Sequence, residues 1–347
     1  MKHTHNYIID MLRFFAAFIV VLFHLNLIVP YVDTWYRNLV KYGWLGVPMF
    51  FVISGYCIML SASNSSGSSS FLIKRFFRIY PTYWVSLVIV LVAALFQQIY
   101  AGTNSVANIP VTITHFIANI TLFTWPLNNI PISNFVYWTL TCEVIFYIII
   151  GITLMFKISY LKQACLIIIS LVSLLLPYQR EGYLFFFDQW PSFGLGISLY
   201  FLFDKKSNAD LVCALLLFII NLYSMIIKNS ALHQMEYIVA ALLTFFVIAG
   251  SHFIQSSKNI FSVLGEHSYA VYLIHVPIGI FILGYFKTSY IIKHPFATLF
   301  YDVLVYSLIS IVACQIFKFI EKPSMNFGKK TAGKYSSNNL KIKPVNT

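Results

Sequence analysis

Charge is scarce in this sequence. Only 10% of its 347 residues are Asp, Glu, Lys or Arg, where a soluble domain carries about 25%. Acids are the rarer sign, 11 against 23 basic residues, and 59% of the chain is hydrophobic. Such a composition excludes a soluble enzyme and leaves little chain for a soluble domain. The five cysteines, Cys57, Cys142, Cys165, Cys213 and Cys314, stand singly in apolar stretches. They form no CxxC pair and no metal-ligand spacing, so they read as small buried packing residues, and no metal is expected. There is no P-loop, no dinucleotide fingerprint, no G-x-S-x-G nucleophile elbow and no internal repeat. The long stretch 101–135 has no Lys, Arg, Asp or Glu, so it offers no basic surface for phosphate.

What is present is a series of apolar runs of membrane-spanning length. Ten are read, at 7–29, 44–62, 81–100, 136–156, 160–177, 190–203, 209–227, 236–254, 267–286 and 298–320. The expected fold is therefore all-α, a polytopic membrane helix bundle of about ten transmembrane helices. Residues 110–127 are apolar but broken by prolines and read as a re-entrant or interfacial piece. The first run is read as a retained span rather than a signal peptide. Asp10 and Arg13 interrupt it, and no small-x-small cleavage site follows.

Ten spans put both termini on one side, where sixteen Lys and Arg lie against six on the other. That bias puts both termini in the cytoplasm. The +12 net charge thus follows from topology and is no sign of nucleic-acid binding. The Ser-rich run 61–70 reads as a flexible linker. One transmembrane domain is expected over 1–327, followed by a short, basic, disordered cytoplasmic tail over 328–347.

Against this background the polar residues inside spans stand out, because a charge in hydrocarbon costs at least a few kcal/mol. Arg13 and His24 are eleven residues apart, three helical turns, so they share one face about 16 Å apart along the axis. Asp10, at i−3, is placed to pair with Arg13. Arg75 and Arg78 are i,i+3 partners on one helix face. They suit either two-toothed phosphate binding or anchoring on lipid headgroups. Glu143 is the only acid deep in a span. It reads as a neutral acid bonded to a neighbouring helix, or as a carboxylate that orients a base or holds a ligand. Ser268, Tyr272 and His275 form an i, i+4, i+7 stripe, open between interhelical bonding and a site. Asp302 and His252, near span ends, read as structural. Ser54-Gly55 permits close helix approach or a ligand against backbone.

Taken in order, these segments resemble the acyltransferase-3 family of integral membrane O-acyltransferases. Arg13 through His24 resembles its Arg-x10-His motif, and Phe50-Phe-Val-Ile-Ser-Gly-Tyr56 its second-span signature. Arg75-Phe-Phe-Arg78-Ile-Tyr80-Pro81 is similar to its Arg-x-x-Arg motif, associated with the acyl-CoA donor. Trp138-Thr-Leu-Thr-Cys-Glu143 resembles its Trp-Ser-Leu-x-x-Glu motif, with Thr139 replacing the usual Ser. Ser268-Tyr-Ala-Val-Tyr272-Leu-Ile-His275 is similar to its late segment. The resemblance implies a stand-alone form without the SGNH-type domain of some members, in a bacterial inner membrane.

It also implies transfer of an acyl group, most simply acetyl, from cytoplasmic acyl-CoA to a hydroxyl of an envelope polysaccharide or glycolipid. A separate periplasmic transferase as partner is left open. In that scheme Arg75 and Arg78 bind the donor, and Arg13 lines the channel or holds the carbonyl. His24 is the candidate base or covalent relay, and Glu143 fixes its tautomer. Asp10, Ser54, Tyr80, Trp138, Ser268, Tyr272 and His275 are expected to support the site or bind substrate. The rival class is a transporter or flippase for an envelope lipid or sugar, which also uses intramembrane Arg, His and Glu. Its usual sign, two related halves with broken helices, is not evident.

Overall fold

The computed structural model describes residues 5–102, 107–156, 158–179, 181–204, 207–230 and 235–341. Lys2, Lys157, Arg180, Lys205 and Lys206, used in the charge count above, lie outside these. In chain order the helices are α1 (Tyr7–Leu25), α2 (Trp35–Val40), α3 (Gly46–Ser63), α4 (Ser68–Ala101), α5 (Ile113–Thr121), α6 (Trp138–Thr153), α7 (Ser159–Leu175) and α8 (Phe186–Phe203). They continue with α9 (Asn208–Ser230), α10 (Met235–Ser251), α11 (Ile260–Glu266), α12 (Ser268–Ile274), α13 (Ser289–Lys293), α14 (Pro295–Ile316) and α15 (Lys322–Lys341). No strand occurs among the described residues.

The architecture is a multi-pass helix bundle. Among the described residues, seven helical stretches are long and apolar enough to cross a membrane, and α7 and α10 are shorter apolar helices. All ten expected runs fall on helices. The sixth, on α8, is diluted by Asp188, Gln189 and Pro191 and does not qualify on length and apolarity.

Backbone groups in hydrocarbon must pair within their own segment, which is why the apolar runs are helical. The outward faces carry apolar stripes at helical spacing: Val88, Leu91, Val92 and Leu95 on α4; Leu215, Ile219 and Tyr223 on α9; Phe300, Leu304, Leu308 and Ile311 on α14. In water such stripes would be a liability; facing lipid they are the wetted surface. The interior is held by close approach of small residues. α3 crosses α8 at Gly55 and Gly196, where a Cβ on Gly55 would fall 2.9 Å from the Gly196 Cα. The expected close approach at Ser54-Gly55 is thus a helix crossing.

Three departures from the sequence reading shape the site. First, the Ser-rich run is ordered. α3 extends through Ser63, and Ser65 Oγ bonds the Ser61 carbonyl at 2.8 Å. Lys74 reaches back to Asn64 O at 3.3 Å and Ser65 Oγ at 3.1 Å. Serines that would leave an isolated chain flexible here satisfy the helix end.

Second, the helix of the tenth run continues past residue 320 and into the segment from Gly328. A π-helical turn, Phe317–Glu321, leads from α14 into α15, which runs to Lys341. Pro323 follows that turn directly; the widened winding before it accommodates the missing N–H and lets the helix continue. Gly328 lets α15 lie against Phe77 of α4, and Phe327 packs on Phe77 edge-on at 5.1 Å. Residues 342–347 lie outside the described residues.

Third, Tyr80 faces away from the channel. Its hydroxyl bonds Thr121 O at 3.2 Å, beside Tyr83 to Asn119 O at 2.5 Å and Trp84 to Ile120 O at 3.1 Å. These three bonds hold the end of α5, inside the expected re-entrant piece, halfway along α4.

Candidate active site

The site is built at the C-terminal end of α1, the outer end in the topology expected from the charge bias. His24 occupies its last turn and is buried, as is His275, where α12 opens into a π-helical segment, His275–Ile282. The change of winding falls at Pro277, which has no N–H to continue the α-helical ladder; such widened turns often occur at functional sites. His275 Nδ1 lies 2.6 Å from the Tyr272 carbonyl oxygen, and its Nε2 lies 2.9 Å from His24 Nδ1.

These two contacts assign the protons. A carbonyl only accepts, so His275 Nδ1 donates to Tyr272. In the neutral ring its Nε2 is then an acceptor, and His24 Nδ1 donates to it. His24 is left with an unprotonated Nε2. The side chain lines an outer cavity of about 640 Å³ with Trp44, Trp138, Gln189, Tyr237 and Tyr272.

Beneath it lies a mid-bundle cavity of about 120 Å³, lined by Arg13, Ser54, Arg75, Arg78, Thr139, Glu143, Tyr147, Ser268 and Tyr272. Val47 and Tyr272 border both. The Tyr272 hydroxyl is pinned by Val136 O at 2.8 Å and Thr139 Oγ1 at 2.7 Å. Thr139 therefore keeps the hydroxyl that Ser would supply. Below again, a third cavity of about 1010 Å³ opens at the other end, bordered by His5, Asp10, Ser61, Lys74 and Lys329. Arg13, Cys57, Arg75 and Arg78 line both it and the mid-bundle cavity. Three spaces sharing walls thus run in line through the bundle.

The cations are held differently. Arg13 donates to Asp10 at 2.8 Å, as its spacing suggests, and to Cys57 Sγ at 3.3 Å. The other Asp10 oxygen meets His5 at 2.5 Å. Arg13 lies three turns from His24, in the channel wall. Arg78 is paired with Glu321, which is fully buried, and lies over the Tyr269 ring at 5.5 Å. Arg75 bonds Ser61 Oγ at 2.7 Å and sits beside Phe71 and Tyr147, while its buried Nε has no partner.

Glu143 is not beside His24. It accepts from Ser54 Oγ at 3.2 Å and Tyr147 OH at 2.5 Å, in the mid-bundle cavity with Arg75 and Arg78. The group that holds the His24 tautomer is His275. Span depth alone had put Glu143 within reach; the rotation of α6 turns it to the lower cavity. Trp138 packs edge-on against Phe51 at 6.2 Å and Phe185 at 5.7 Å, at the outer cavity. Of the expected site residues, Tyr80 and His275 line none of the three cavities; His275 stands behind His24, and Tyr80 faces α5. Tyr147 was overlooked, although its i+4 spacing from Glu143 is a signal. So was the ion pair of Lys228 and Asp188, 2.7 Å apart in the outer cavity wall. No group of three metal-ligating side chains occurs among the described residues.

The model of the acyltransferase domain family matches residues 6–319 of this chain. The chain belongs to the acyltransferase-3 family. Individual relatives agree. A protein of Acidianus two-tailed virus whose name proposes an acetyltransferase is 25% identical over 80% of this chain and 86% of its own. Nodulation protein 10 of Rhizobium leguminosarum bv. viciae is 32% identical over 42% of this chain and 43% of its own. A Staphylococcus aureus protein whose name proposes an O-acetyltransferase is 27% identical over 95% of this chain. This chain spans only 59% of that staphylococcal protein's length. No solved structure matches. His24, His275 and the residues lining the outer and mid-bundle cavities lie within the matched region; His5 and the α15 side of the lowest cavity lie outside it.

Proposed function

We propose that this membrane acyltransferase moves an acyl group from cytoplasmic acyl-CoA to a hydroxyl of a cell-envelope glycan or glycolipid. The observation that carries the reading is the orientation of His24. Its Nδ1–H is held by His275, and its Nε2 is left free at a large outer cavity. That is the arrangement a general base needs.

The donor enters the lowest cavity, where Arg75 is a cation without an ion pair among the described residues. Its pantetheine arm passes Cys57 and Glu143 and brings the thioester to the floor of the outer cavity. The acceptor hydroxyl gives its proton to His24 Nε2 as its oxygen attacks the thioester carbonyl. The carbon–sulfur bond breaks, and the CoA thiolate takes the proton from the imidazolium. His24 returns to its neutral form. The names of the relatives favour acetyl as the group carried. In this reading the helices cross the membrane ten times, with both termini in the cytoplasm.

The test is His24→Ala in purified protein in nanodiscs, with acetyl-CoA labelled in the acetyl group. The account expects wild-type affinity for acetyl-CoA and transfer reduced at least about 100-fold. Near-normal acyl incorporation by the variant would reject His24 as base and as covalent relay alike.

A further inference from the structure

The lowest cavity has a wall that the proposed reaction does not use. α15 closes one side of it with Met325, Lys329, Ala332 and Gly333. The helix is fastened there by packing against α4. Ser324 Oγ bonds Phe77 O at 2.8 Å, Arg78 Nη1 reaches Met325 Sδ at 3.1 Å, and Phe327 covers Phe77. This brings Lys329 to the wall of the same cavity as Lys74, where burial, Arg75 and then Lys329 disfavour the charge on Lys74.

Like charges are placed together at a cost. Here the cost is not offset within the protein. Asp10 is engaged by Arg13 and His5, and Glu321 by Arg78. Glu266, the other acid on this cavity, pairs with Lys258 at 3.4 Å. Among the described residues Lys74, Arg75 and Lys329 form no ion pair, and the buried Nε of Arg75 has no acceptor. Three cations therefore face one open space of about 1010 Å³. Ser61, Asn64, Ser66 and Ser70 add hydroxyls and an amide to its wall, beside the less polar Cys57, Phe317 and Met325.

We infer that α15 completes a binding site for the adenosine 3′,5′-bisphosphate end of CoA, with Lys329 and Lys74 holding its phosphoryl groups. The inference rests on the acyl-CoA reading above and adds the nucleotide subsite to it. The space is too large for a bare anion and carries the polar wall that a ribose and an adenine amine need. It is continuous with the channel through Arg13, Cys57, Arg75 and Arg78, so a nucleotide seated here points its pantetheine arm toward Glu143 and His24. Arg75, higher in the channel, lines the mid-bundle cavity as well and so also meets the pantetheine arm. Lys329 serves the phosphates alone.

The experiment compares acetyl-CoA with acetyl-3′-dephospho-CoA on the full-length protein in phosphatidylcholine nanodiscs. Binding is measured for wild type, Lys329→Ala, Lys329→Arg and Lys74→Ala. Lys329 is exposed, so its substitution leaves folding untouched. Wild type should prefer the 3′-phosphorylated donor by about tenfold or more, the worth of one charge-assisted hydrogen bond. Lys329→Ala should lose most of that preference while keeping its affinity for the dephospho donor, and Lys329→Arg should restore it.

Equal binding of both donors by wild type, or an unchanged preference in Lys329→Ala and Lys74→Ala, overturns the subsite while leaving the acyl-CoA reading intact. No binding of either donor by folded wild type overturns both. Anionic lipid headgroups carry the same phosphate chemistry, so the series is repeated with phosphatidylglycerol present. An effect of Lys329→Ala seen only with that lipid assigns the lysine to headgroups and rejects the inference.

Discussion

Replacing His275 probes the proposed chemistry without touching a reacting atom. In the native bundle its Nε2 accepts the His24 Nδ1–H at 2.9 Å and its own Nδ1–H is anchored on Tyr272 O at 2.6 Å. Removing the acceptor leaves a buried N–H unsatisfied, at about 1–3 kcal/mol. His24 then escapes by rotating or by moving its proton to Nε2, and either change removes the base. If the whole penalty appears in the transition state, kcat falls roughly 5- to 150-fold. Donor affinity should not change, because the donor cations line the lower cavities and His24 the outer one. His275→Ala also opens a hole in a fully buried site, so thermal stability must be followed beside activity. His275→Gln fills more of the space and offers an amide oxygen to His24; it should recover part of the loss. The assay is initial rate against acetyl-CoA concentration at saturating acceptor, with donor affinity measured separately. A His275→Ala protein that folds and retains wild-type kcat would refute the tautomer argument.

Arg75→Ala should weaken acetyl-CoA binding roughly tenfold or more, read by direct titration, with no change in melting temperature; unchanged affinity would reject it as a donor contact. Arg78→Ala is a different experiment, because it strands the buried Glu321, and it should lower the melting temperature first. Gly55→Val drives a side chain into the Gly196 backbone and should cost at least about 1–3 kcal/mol, with poorer yield of folded protein; a wild-type melting temperature would contradict the crossing described. Asp302 accepts from Lys287 at 2.7 Å, Asn26 at 2.6 Å and Tyr36 at 2.8 Å. Asp302→Leu should therefore destabilise by about 3–5 kcal/mol, and Lys287→Met added to it should recover part of that; no recovery would mean the pair is not what holds this end of α1.

The helices were readable because a membrane demands long apolar runs, and the polar interruptions marked the channel because they are costly there. Arg13, His24, Arg75, Arg78 and Glu143 were found that way, and four of the five line cavities shared with one another. What a run of residues does not carry is rotation about each helix axis against its neighbours. Depth alone made Glu143 a plausible partner for His24; the packing of α6 turned it toward Tyr147 and Ser54, and His275 took the place. Tyr80 failed for the same reason, facing α5 rather than the channel. The Ser-rich turn and α15 were not legible because Ser, Gly and Pro usually break structure. Here Ser65 bonds the last turn of α3, Gly328 lets α15 sit on Phe77, and the π-helical turn before Pro323 carries the helix past it.

The central claim is that an acyl group crosses while its carrier does not. The direct measurement uses proteoliposomes with acetyl-CoA, labelled separately in the acetyl and the CoA parts, on the cytoplasmic face and a glycan acceptor enclosed within. The account predicts acetyl label on the enclosed acceptor, all CoA label on the donor side, and neither movement with His24→Ala. CoA or intact acetyl-CoA in the lumen, or glycan moved unacylated by the wild type, would contradict it and make the protein a transporter.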